Sequence, residues 1–140
     1  MIKYDELENA FFYVSSDQQY MHLAVLHKKT GETFYQSDIA GIDEFPEDVE
    51  NGDYINIPHK NELGLGRDLV FDFVEEYLPQ QAGKVNQIFS TRGAYRRFKD
   101  FLDSIGLLED WYKFENEQTK IALKNWCKEN GLEIENQEIT

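Results

Sequence analysis

The hydrophobic pattern of this chain alternates over about residues 20–57 and turns helical after about residue 62, and no all-α or all-β fold accommodates both. Residues 20–27 place Met21, Leu23 and Val25 on one face of a strand, Lys29-Thr30-Gly31 interrupts, and Thr33, Phe34 and Tyr35 resume, which predicts a β-hairpin. Tyr54-Ile55-Asn56-Ile57 alternates again and is stopped by Pro58, predicting a third strand. Before the sheet, Leu7, Ala10, Phe11 and Val14 recur at helical spacing behind Asp5, the expected N-cap.

Beyond residue 62, Val70, Phe73, Val74 and Tyr77 form a stripe closed by Pro79, and a segment over about 80–89 adds Val85, Ile88 and Phe89. A helix over 92–105 is broken by Gly106. A last one starts near Leu108, carries Trp111, Phe114, Ile121, Ala122 and Trp126, and ends at Asn130-Gly131. The expected architecture is one α+β domain over 1–140: an N-terminal helix and a small, about three-stranded antiparallel sheet (4–58) packed on a C-terminal helical half (62–131). Residues 132–140 read as an acidic, fraying tail. Residues 38–53, with seven acids around Phe45-Pro46, read as a mostly exposed connection with room for one helical turn.

Ten Phe, eight Tyr and two Trp can supply the core, at roughly 150–250 Å² each. The single cysteine, Cys127, cannot form an intrachain disulfide; with no leader-like apolar run after Lys3 and no membrane-length apolar stretch, the expected setting is the cytoplasm, away from membranes. A net charge of −13 repels phosphates at long range and disfavours nucleic acid. The acidity serves solubility, or mimics nucleic acid toward a basic partner.

Against that background, residues 91–107 hold four bases, Arg92, Arg96, Arg97 and Lys99, and only two acids, Asp100 and Asp103. On a helix, Ala94, Tyr95, Phe98, Phe101, Leu102 and Ile105 share the core face and Arg92, Arg96 and Lys99 the other. Pairs Arg96–Asp100 and Lys99–Asp103 at i,i+4 would neutralise much of that face. Bases in the first turns nevertheless oppose the helix dipole. A cap from Ser90 or Thr91, close backbone approach at Gly93 and an anion beside Arg92 and Arg96 would offset this, the anion being a ligand or an acidic loop such as 43–50.

The run Gly93-Ala94-Tyr95-Arg96-Arg97-Phe98-Lys99-Asp100, followed by Trp111-Tyr112-Lys113-Phe114 and by Trp126 through Gly131, resembles an uncharacterised bacterial protein family, UPF0158. The family's signature is close to Gly-Ala-Phe-Arg-Arg-Phe-Lys-Asp and then Trp-x-x-Phe. Asp5-Glu6-Leu7 and the Lys29-Thr30-Gly31 turn fit the same layout, so the likeness covers most of 4–132. Tyr95 stands where the family usually has Phe, consistent with a buried ring whose hydroxyl reaches a polar group. The resemblance implies a single domain and brings no activity with it.

No catalytic constellation, cofactor motif or metal-ligand spacing is legible elsewhere. His22 and His27 fall on opposite strand faces and His59 is isolated. The acids of 43–53 lack EF-hand spacing, and Gly64-Leu65-Gly66-Arg67 lacks the rest of a phosphate loop. Cys127 has no neighbouring histidine and reads as packing; Glu75-Glu76 and Glu109-Asp110 read as solvated; Trp111 and Phe114 have core spacing. The expected function is that of a non-enzymatic cytoplasmic binding or regulatory module working through protein contacts or on a small anion, with Arg92, Arg96, Arg97 and Lys99 as the contact set. The alternative is a nucleotide- or nucleic-acid-related enzyme or accessory factor holding phosphate at the same helix.

Overall fold

A computed structural model describes residues 1–135. The described chain is α+β, and it divides into two compact units: residues 1–63 with the C-terminal segment from Ala122, and Gly64–Ile121.

In the first unit, helix α1 spans Tyr4–Ser15 and buries Tyr4, Leu7, Ala10, Phe11 and Val14. It starts earlier than expected. Tyr4 is itself buried and its hydroxyl donates to Glu8 at 3.1 Å, so Lys3 becomes the N-cap, with no side-chain bond. Asp5 is therefore not the cap; it joins Glu6 in the first turn, where carboxylates complement the helix dipole.

Strands β1 (Leu23–His27), β2 (Thr33–Ser37), β3 (Ile42–Asp43) and β4 (Tyr54–Asn56) form an antiparallel sheet in the order β3-β2-β1-β4. The additional strand, β3, lies inside the acidic segment read as a connection, and pairs Ile42 with Ser37 and Asp43 with Gln36. Central β1 buries Ala24, Val25 and Leu26 in succession, although alternation predicts one buried face. Both faces are covered. Ala24 and Leu26 share a face with Tyr35, whose ring meets Tyr13 of α1 edge-on at 4.8 Å. Val25, on the opposite face, lies in a concavity with Phe45 and Val49.

Gly31 adopts φ +78° in the hairpin, and a Cβ there would stand 3.0 Å from the Met1 carbonyl oxygen and 3.3 Å from Ile2 Cα. Glycine thus serves both the turn and the close passage of the N-terminal backbone. His59, after β4, is buried: its Nε2 donates to the Asp17 carbonyl at 2.7 Å and its Nδ1 accepts from Asn61 N–H at 3.1 Å. Lys60 N–H donates to Ser15 Oγ, so the exit from the sheet is pinned to the end of α1 by polar bonds.

Helix α5 spans Leu108–Glu129. It closes with Gly131 at φ +68°, Gly131 N–H on the Lys128 carbonyl and Leu132 N–H on the Cys127 carbonyl, the paired bonds of a Schellman motif. Burial pushes the Cys127 thiol up to about 11. Residues 132–135 do not fray. Ile134 pairs with Ile2 in a parallel bridge, with Ile2 N–H on Glu133 O at 2.9 Å and Glu135 N–H on Ile2 O at 2.7 Å. Ile139 lies outside the described residues.

In the second unit, Gly64 at φ +69° and Gly66 at the N-cap lead into α2, Arg67–Tyr77. Pro79 forces Leu78 to an extended φ of −150° and ends it. Helices α3 (Ala82–Ile88) and α4 (Ala94–Ser104) follow, and α4 closes at Gly106 with Leu107 N–H on the Leu102 carbonyl at 2.8 Å. The core is built from rings: Phe73 and Phe98 meet Trp111 at 5.4 and 5.2 Å, both nearly edge-on. Trp111 is 1% exposed, and its indole N–H has no hydrogen-bond partner among the described residues. Of the expected stripes, Tyr77, Ile105 and Ile121 are exposed, whereas Leu123 is buried.

No helix among the described residues is long and apolar enough to cross a membrane.

Candidate functional site

The basic segment lies at the junction of α3 and α4 in the second unit. Its position follows from two local rules. Phe98 and Leu102, four apart and both fully buried, set which side of α4 faces the core. Arg96 and Arg97 are thereby left exposed, and Arg92 is exposed just ahead of the helix.

Helix α4 begins at Ala94, later than the expected Arg92. Ser90 and Thr91 do not cap it, because they finish the preceding helix: Ser90 Oγ donates to Gln87 O at 2.7 Å and Thr91 Oγ1 to Ile88 O at 2.6 Å. The N-cap is Gly93 itself, at φ +66° and ψ 31°, with no side-chain cap bond. A Cβ at Gly93 would meet nothing within 4 Å, so the glycine answers the left-handed turn between the helices and no crowding.

The expected pairing along α4 is absent. Arg92, Arg96 and Arg97 have no ion pair with any described carboxylate, and neither Arg96–Asp100 nor Lys99–Asp103 forms. Lys99 Nζ lies instead 5.7 Å over the Tyr112 ring, and Lys84 Nζ 5.1 Å over Phe101. Cation–π contact keeps these two lysines near rings that the helix packing already fixes.

Arg67 escaped the sequence reading. At the start of α2, its guanidinium donates to the Phe89 carbonyl and lies 5.4 Å over the Phe89 ring, and that ring meets Tyr95 edge-on at 5.1 Å. Burial raises the Tyr95 phenol above its ordinary 10.0, the Glu115 carboxylate adds to the rise and Arg67 opposes it. Tyr95 thus carries a hydroxyl among charged groups, as expected of a tyrosine in a Phe position. Its only advance signal was Arg67 following Gly64-Leu65-Gly66, too short a run to place the side chain 22 residues along the chain.

Among the other candidates, His22 Nδ1 is 2.8 Å from Ser37 Oγ and the ring lies 5.2 Å from Tyr13, whereas His27 meets Tyr54 at 4.9 Å, so the two occupy opposite sheet faces. Trp111 and Phe114 are core rings. Chemically, the α3–α4 junction offers guanidinium groups free to make bidentate bonds to a carboxylate or phosphate. No curated protein and no solved structure matches the chain. The family model of UPF0158, described as an uncharacterised protein family, matches residues 4–139, and the chain belongs to that family.

Proposed function

We propose that this protein is a non-enzymatic cytoplasmic binding or regulatory module that engages an acidic surface of another protein through Arg92, Arg96, Arg97 and Lys99. The observation that carries this reading is the unpaired state of the three arginines in a chain of net charge −13. Acids are abundant in this sequence, and Asp100 stands at i,i+4 from Arg96, yet the two do not pair. Three guanidinium groups without a described carboxylate, two in the first turn of α4 and one just ahead of it, where the helix dipole disfavours cations, are available to an external anion.

The alternative, phosphate held for nucleotide chemistry, draws less support. It needs a groove that flanks the arginines with a carboxylate able to act as acid or base, and the sheet cavity of the first unit is lined by none of the four basic residues.

The test is thermal unfolding at constant ionic strength with chloride replaced by phosphate, ATP or a poly-glutamate peptide, for the native chain and Arg96→Ala/Arg97→Ala. Stabilisation by poly-glutamate that vanishes in the variant supports protein contact; a ligand at 100 times its Kd adds about 2.7 kcal/mol. A shift with ATP alone favours the alternative. No anion-specific shift in either protein refutes both.

A further inference from the structure

The first unit contains a cavity of about 660 Å³ on the sheet face turned away from α1, within the roughly 300–1,000 Å³ typical of small-ligand pockets. Its floor and wall include Val25 of β1, Tyr54 of β4, and Phe45 and Val49 of the segment that arches over the sheet. Asp43 and Glu50 contribute carboxylates to the same lining. The arch is tied at both ends: Glu44 N–H donates to Tyr35 O at 2.9 Å, and Lys28 N–H to Asp53 O at 2.9 Å.

Its chemistry is one-sided. Residues 38–53 hold seven acids and no Lys or Arg. Glu50 has no ion-pair partner among the described residues, and Asp43 receives one neutral bond, from Gln36 Nε2 at 3.2 Å. Lys28 directs its ammonium to the Gly52 carbonyl at 3.0 Å. Asp48, beside the cavity, accepts from Asn51 and from the Tyr54 hydroxyl, again without a cation. Partial desolvation, and after it the Asp48 carboxylate, raises the Tyr54 phenol, so Tyr54 remains a neutral ring at physiological pH.

A cavity lined by Phe45, Val49 and Tyr54 together with the exposed Asp43 and Glu50, which have no counter-ion among the described residues, is complementary to an aliphatic stem ending in a cation, whose methylenes lie on Val49 and the rings and whose head reaches Asp43 and Glu50. We infer that this cavity is a binding site for an alkylammonium group, supplied by a free polyamine or by a lysine side chain of a basic peptide. The site lies in the first unit, its charge is opposite to that of the α4 arginines, and it stands or falls independently of their role.

The test is isothermal titration of the full chain at low salt with spermidine and with acetyl-Lys-Ala-Lys-amide, using acetyl-Gln-Ala-Gln-amide as the neutral control. The expected result is saturable binding of at least one cation and none of the control. Binding weakens at least about tenfold in Asp43→Asn/Glu50→Gln and several-fold in Val49→Ser, which keeps the charge and removes apolar floor. Glu75→Gln/Glu76→Gln removes the same charge from α2 and leaves binding within about twofold. Spermidine alone identifies a free polyamine, the peptide alone a basic protein segment, and both the shared ammonium. No saturable binding of either cation, or equal loss in the α2 variant and the cavity variant, overturns the proposal.

Discussion

The two units build their cores by different means. The second is closed mainly by rings, Phe73, Phe89, Phe98 and Trp111, with the Trp111 indole N–H left unbonded. The first buries Leu7, Phe11, Leu26 and Leu123 and adds backbone and polar links between separate segments: Ile2 with Ile134, His59 with Asp17, Gly31 against Met1. A core of rings tolerates polar loss and suffers from lost volume. A core of long-range links suffers when a single donor, acceptor or glycine is changed.

The contrast can be tested directly because each unit contains one tryptophan, Trp111 in the second and Trp126 in the first. Trp126→Phe and Trp111→Phe backgrounds thus report the units separately. The largest expected effect is Phe98→Ala, about 3–5 kcal/mol by denaturant unfolding, from the cavity left among Phe89, Trp111 and their neighbours. We expect both tryptophan signals to shift together, because α5 passes unbroken from one unit to the other. A shift confined to Trp111 would make the units independent domains.

Gly31→Ala comes next, at about 1–3 kcal/mol, since it adds a left-handed strain to a 3.0 Å approach on the Met1 carbonyl. His59→Ala, expected at a similar or slightly smaller cost of about 1–3 kcal/mol, removes a buried ring and leaves the Asp17 carbonyl without its donor. If His59→Ala were neutral, the polar account of the first unit would be wrong.

Alkaline titration tests the packing of the first unit in another way. The Cys127 thiol is held up to about 11 in the folded chain against an ordinary 9.0, so the unfolded chain loses this proton first. The contribution is complete below pH 9 and is lost as pH rises toward 11, on the order of 2 kcal/mol. Tyr4, raised by burial and then by Glu8, adds in the same direction at higher pH. Cys127→Ala should flatten the pH 9–11 slope. An unchanged slope would show that the thiol is solvated in the native state.

The smallest effect is expected on α4. Arg96→Ala/Arg97→Ala should alter stability in the absence of ligand by no more than about 0.5 kcal/mol, because the replaced side chains are exposed and unpaired. A larger loss would mean that the arginines serve the fold.

Much of the helical half could be read beforehand because its signals are short-range. Pro79, Gly106 and Gly131 stop helices within a turn of where they stand, and the stripe through Val70, Phe73 and Val74 is buried as its spacing predicts. The misreadings fall where local signals competed. Ser90 and Thr91 look like caps for the helix that follows, yet they sit at the end of α3, whose open carbonyls take their hydroxyls first. Asp5 looks like a cap until Tyr4 is seen to be buried. Arg96 and Lys99 have the spacing for ion pairs, which in water add only about 0.2–0.5 kcal/mol each, too little to hold a long side chain when a ring or solvent is near.

The sequence by itself determined the α+β class, most of the order of elements, the places where helices end and the exposure of Arg92 and Arg96, because periodicity and backbone preferences act over a few residues. Only the tertiary structure decided that acidic residues 43–53 wall a cavity, that 132–135 pair with Ile2, that His59 is buried and bonded at both nitrogens, and that Arg67 joins Phe89 and Tyr95. These outcomes depend on which distant segments meet, and a local pattern carries no record of a partner some 20 to 130 residues away.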